Sequence, residues 1–143
     1  MKENRKPFAD IIVVITQAFY GNRTQTGLKE KDIDQFIQMG SIGNDPITHA
    51  PFPLEYPADR TIVRIPGTDR LILMYNRYME EERLEEGRKL FEKKSYKIKP
   101  LAEIPELDLK IYSRCIALRM DEEGHLSSLE EEDYSILWKY LAP

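Results

Sequence analysis

Residues 61–75 read TIVRIPGTDRLILMY. Two strand-like runs, Thr61-Ile62-Val63-Arg64-Ile65 and Leu71-Ile72-Leu73-Met74-Tyr75, flank Pro66-Gly67-Thr68-Asp69. Proline presets φ for the second position of a tight turn, and glycine accepts positive φ at the third. The stretch therefore predicts a β-hairpin. The rest of the chain must supply the strands and helices that cover it.

Two further runs have strand character. Ile11-Ile12-Val13-Val14-Ile15 is continuously β-branched, the composition of a strand buried on both faces. Leu109 to Met120 is the other. Tyr20-Gly21-Asn22 reads as a turn and Tyr96 to Lys99 as a short edge strand. Pro100 to Pro105 reads as a loop, and Asp121-Glu122-Glu123-Gly124 as a turn.

Three helices are predicted. Lys29 to Met39 carries Ile33, Phe36 and Ile37 at i, i+3, i+4, with Gly40 placed to cap its end. Arg77 to Lys94 is long and mostly polar; Leu84, Leu90 and Phe91 are its apolar stripe and Gly87 weakens its middle. Leu129 to Leu141 places Tyr134, Leu137, Trp138 and Leu141 on one face, opened by a Ser128/Glu131 capping box. These elements give an α+β fold, a single domain over 1–143 with a mixed or antiparallel sheet of about four or five strands under two or three helices. Residues 1–8 read as an N-terminal arm. Residues 41–59, with Pro46, Pro51, Pro53 and Pro57, read as a long proline-rich loop packed on the domain.

Composition removes several function classes. The chain has 143 residues, enough for one core, and its 41% apolar share is too rich for a disordered segment. With 21 basic and 25 acidic residues the net charge is −4, which argues against a protein built mainly to coat nucleic acid. Its one cysteine, Cys115, permits neither an internal disulfide nor a cysteine zinc site; alternation puts it on a buried face beside Ile111 and Ala117. The apolar run 11–15 is too short for a signal sequence or a membrane span, so a cytoplasmic protein is expected, with no membrane partner. Gly21 and Gly27 follow the first strand but fit no phosphate-loop spacing. No metal or cofactor is expected: Asp45, His49 and Glu55 fit no ligand spacing.

Three surfaces remain. His49-Ala50-Pro51-Phe52-Pro53-Leu54-Glu55-Tyr56-Pro57 is a stiff ribbon. It can present Phe52 and Tyr56 to a protein partner. In an enzyme reading, His49, Glu55, Tyr56 and Arg60 would act as acid/base groups on a small anionic substrate. Residues 88–99 hold six basic residues and one acid, with Phe91 and Tyr96 among them. Lys89, Lys93, Lys94, Tyr96 and Lys97 could contact phosphates and bases. The ordinary explanation is an acid-first, base-last helix that complements its own dipole. Seven carboxylates between Asp121 and Asp133 make the third, an acidic face. Since no catalytic constellation stands out, the expected function is non-enzymatic binding or regulation through protein contact. A small acidic inhibitor of the kind carried by phages and bacterial mobile elements is the type case. Nucleic-acid binding through 88–99 and the His49 enzyme are the alternatives.

Overall fold

The computed structural model describes residues 9–17, 20–44, 51–94 and 97–141. The 61–75 hairpin forms as predicted, from β5 (Arg60–Arg64) and β6 (Leu71–Asn76). Gly67 sits at φ 81° and the Thr68 amide donates to the Ile65 carbonyl at 3.2 Å, the geometry a Pro-Gly type II turn requires. β6 pairs with β9 (Cys115–Met120), β9 with β1 (Ala9–Gln17), and β1 with β2 (Tyr20–Leu28). The sheet order is β2-β1-β9-β6-β5, with the short β10 (Leu126–Ser127) on β9 as the sixth strand. Every pairing is antiparallel.

The fold is α+β, and the sheet has one strand more than the largest number expected. Two of its strands fall outside the expected set: the two-residue β10, and β2, where the sequence suggests a turn and a glycine-bearing loop. Nine registered pairs bind it to β1, so Gly21 and Gly27 lie in a ladder rather than in a loop. Its run Tyr20–Leu28 escaped notice because an edge strand needs little apolar content; Leu28 is its one core residue among the described side chains.

Both faces of the sheet are covered, as the β-branched run 11–15 requires. Ile12 and Val14 join Leu73, Ala117 and Cys115 on one face, packed under α3 (Glu131–Leu137) and a ribbon of β7 (Ala102–Ile104) and β8 (Leu109–Ile111). Ile11 and Val13 join Ile72, Met74, Ile116 and Leu118 on the other, packed under Ile33 and Ile37 of α1 (Ile33–Gln38). β7 occupies part of the segment expected to be a loop. Of the edge strand expected at Tyr96 to Lys99, residues 97–99 are described and form none.

Three boundaries differ for non-local reasons. The run 109–120 is two strands rather than one. At the break, both carboxylate oxygens of Glu80 on α2 (Arg77–Lys94) accept from the Tyr112 amide, at 3.0 and 3.1 Å, and one accepts from Ser113 at 2.9 Å. α3 is capped by Glu130 and Asp133 rather than by Ser128, whose hydroxyl instead accepts from the Asp10 amide at 3.0 Å. Residues 41–59 are not a continuous loop. β3 (Met39–Asn44) pairs with β4 (Pro51–Glu55), and Gly40 lies inside β3 instead of capping a helix. Pro51 and Pro53 are two apart, so their missing donors share one side, which a two-stranded ribbon leaves unpaired.

α2 starts on a cap from Asn76, whose side-chain oxygen accepts from the Tyr78 and Met79 amides at 2.9 and 3.2 Å. Its inward side is Met79 and Gly87; of the expected Leu84, Leu90 and Phe91 stripe, Leu90 is half-buried and the other two are exposed. A Cβ on Gly87 would stand 2.5 Å from Ile98 Cδ1, so glycine allows the close approach. Leu84 and Phe91 are 45% and 46% exposed.

Candidate functional site

α1 is six residues long and covers only part of its sheet face. Beyond it, a groove of about 500 Å³ opens over Ile62, Ile72 and Met120. Arg64, Arg70, Asp69, Asp121 and Glu122 supply its charged lining. Arg70 donates to Glu122 at 2.7 Å across exposed surface. Arg64 is exposed and has no ionic partner among the described residues.

The groove runs onto the open edge of the sheet. β5 pairs with β6 alone among the described strands. The Ile65 amide donates to the Leu71 carbonyl at 2.9 Å, which fixes the phase of the ladder. In an antiparallel pair, alternate residues turn their amide and carbonyl to the partner. Val63 and Ile65 therefore face β6, and the N–H and C=O groups of Ile62 and Arg64 face outward. Ile62 is also the most exposed large apolar side chain among the described residues, at 51%. An edge of this kind is normally blunted by charge, and Arg60 and Arg64 flank Ile62 in that way.

The residues singled out in the sequence are distributed elsewhere. His49, Tyr96 and the arm at 1–8 lie outside the described residues. Of Phe52, Glu55 and Lys94, only the backbone is described: the first two in β4, the third at the end of α2. Arg60 donates to Asp34 of α1. Tyr56 is half-buried, its amide donating to the Gln38 carbonyl at 2.9 Å. Burial first, and then Glu82 and Glu86 of α2, push its phenol above the ordinary value. Tyr56 and Arg60 are thus both tied to α1, Tyr56 by its backbone amide and Arg60 by its guanidinium, while the Tyr56 phenol feels the carboxylates of α2. The segment after Tyr56 is structural wrapping: Asn76 donates to the Pro57 carbonyl at 2.7 Å, and Arg77 donates to Asp59 at 2.8 Å. That bond from Arg77 holds the Asp59 carboxyl below its usual range.

On the basic segment, Lys89 and Lys93 are exposed, and Lys97 lies 5.6 Å from the Phe91 ring centroid. Arg88 is engaged by Glu85 and Glu92 of its own helix, as dipole-matched helix chemistry expects. The acidic face is smaller than the sequence suggests. Asp133 is 2% exposed and takes two bonds from Arg119, at 3.0 and 2.9 Å. At the β9–β10 turn, ligand atoms of Asp121, Glu123 and His125 lie within 4.8 Å of one another. Asp121 there accepts from the amides of Glu123 and His125 at 2.9 and 2.8 Å, which is turn chemistry.

Cys115 is fully buried, and burial pushes its thiol up to about 12. At pH 7 its thiolate fraction is on the order of 10⁻⁵. The native protein is expected to leave a thiol-specific chromogenic reagent unreacted over hours, and to react with one equivalent once denatured. Rapid native labelling would show that the core opens easily at β9.

Comparison with protein-family models, with curated proteins and with solved structures yields no match for this chain. Among the described residues, no helix is long and apolar enough to cross a membrane.

Ile62, Arg64, Ile72 and Met120 were not among the residues singled out from sequence. The available signal was the alternation Arg60, Ile62, Arg64, which sets one apolar residue between two cations on a single face. Such a pattern marks an edge strand whose outer face meets solvent.

Proposed function

We propose that this protein is a non-enzymatic, cytoplasmic binding protein that takes an extended segment of a partner protein as an added strand along β5. The observation carrying this reading is the outward pair of backbone groups at Ile62 and Arg64, beside an exposed Ile62 that continues into the groove floor. In strand addition, main-chain hydrogen bonds supply affinity, and alternate side chains of the guest supply specificity. Here an apolar guest residue would cover Ile62 and an acidic one would meet Arg64. A second copy is a poor guest: pairing two β5 strands about Ile62 sets Arg60 opposite the other copy's Arg64, a repulsive cross-strand pair.

The test is selection of a random peptide library on the immobilised protein, followed by amide chemical-shift mapping. Selected peptides are expected to alternate apolar and acidic residues and to shift the Ile62–Arg64 amides. Arg64→Pro removes one outward donor and the free cation while leaving the Val63 and Ile65 donors to β6, and should weaken binding at least about tenfold. Peptides that map elsewhere, or that bind Arg64→Pro unchanged, would defeat the proposal.

A further inference from the structure

α2 carries a second, independent surface. The helix is 18 residues long, yet Met79 and Gly87 are the only buried residues it has among those whose burial is described. Leu84 and Phe91 are both nearly half exposed. They are seven residues apart, two turns on the same side of the helix. Packing against the sheet therefore does not use them.

The charge on α2 is divided with equal and opposite halves. Residues 77–87 hold five acids and two bases, net −3; residues 88–94 hold four bases and one acid, net +3. The change of sign falls between Gly87 and Arg88. The midpoint of Leu84 and Phe91 falls at the same place. We infer that two copies of this protein pair antiparallel through α2, about a two-fold axis crossing the helix between Gly87 and Arg88. In that arrangement Leu84 of each copy lies level with Phe91 of the other. The acidic half of each helix runs along the basic half of its neighbour.

This geometry favours a second copy over a foreign helix. An isologous contact must be self-complementary, and a helix that is apolar at symmetric positions and oppositely charged on either side of the centre meets that condition with itself. Arg88, nearest the centre, is already neutralised by Glu85 and Glu92 of its own helix, the latter at 2.6 Å, so it brings no bare charge to the axis. The helix is about 27 Å long, so one helix pair is a small contact, below the roughly 800 Å² per partner of a standard interface. The dimer is accordingly weak and reversible. It leaves β5 free and would present two β5 edges in one assembly.

Sedimentation velocity across a concentration series up to about 1 mM tests this directly. At about 0.01 M salt the weight-average mass is expected to rise from 16.8 kDa toward twice that value. The dissociation constant should rise about tenfold at about 0.15 M salt, as the Debye length falls. Leu84→Gln with Phe91→Gln, at two exposed positions that should not disturb folding, is expected to raise it at least about tenfold again. A mass fixed at 16.8 kDa throughout would overturn the inference. So would a dimer indifferent to salt, or one unaffected by the double variant. Peptide binding at β5 is read separately, so failure of either proposal is distinguishable from failure of the other.

Discussion

Asp133→Ala is expected to lower unfolding free energy by about 3–4 kcal/mol. Asp133 is 2% exposed, and its carboxylate accepts three hydrogen bonds from two partners. Arg119 donates to both oxygens, and the Glu130 amide donates at 2.7 Å. Truncation leaves a guanidinium with a side chain only 21% exposed beside β9, and strips α3 of half its capping box. Breaking a buried pair costs more than the pair contributes, because the surviving charge is left with poorer partners, here, among the described residues, only Glu130 at 3.7 Å. The double replacement Asp133→Leu with Arg119→Met should therefore recover most of the loss. Denaturant melts of the two variants check both parts. A loss under about 1 kcal/mol for Asp133→Ala would mean the pair is effectively solvated.

Glu80→Ala is expected to cost about 2–4 kcal/mol. The Glu80 side chain is the hydrogen-bond acceptor that the structure gives Tyr112 and Ser113 where β8 ends and β9 has not begun. Ser113 is 3% exposed, so water is a poor substitute. Each orphaned buried donor costs about 1–3 kcal/mol. Glu80→Gln keeps an acceptor oxygen where Oε1 serves both amides, and should cost well under half as much. The bonds also tie α2 to the sheet, so amide exchange in Glu80→Ala should accelerate first at Tyr112 and Ser113. Equal stability of the Ala and Gln variants would show that the carboxylate is not what holds the break.

The central part of the fold could be read from composition alone. A Pro-Gly pair between two apolar runs specified β5–β6, and an unbroken β-branched run specified a strand covered on both faces. What could not be read depended on distant partners. The run 109–120 mixes apolar and polar residues at strand-like spacing, so Ser113 and Arg114 alone do not mark a break; the carboxylate of Glu80 on α2 does. Ser128 was a sound local cap, but it serves Asp10 while Glu130 and Asp133 cap α3. β2 and the β3–β4 ribbon are edges, where the periodic burial that announces a strand is weakest. The candidate site was hidden for a related reason. It consists of what α1 fails to cover and what β5 fails to pair with, and neither shortfall has a local signature. Only the Arg60-Ile62-Arg64 alternation was visible. The α2 charge division was legible, and dipole matching accounted for it. That Leu84 and Phe91 lie off the core became apparent only once Met79 and Gly87 took the inward side.

The measurement closest to the central claim is residue-resolved amide hydrogen exchange along β5 in the free protein at low concentration. An open edge requires the Ile62 and Arg64 amides to exchange far faster than those of Val63 and Ile65, which donate to β6. Protection of Ile62 and Arg64 equal to that of Val63 and Ile65 would mean the edge is already paired, and strand addition at β5 would be contradicted.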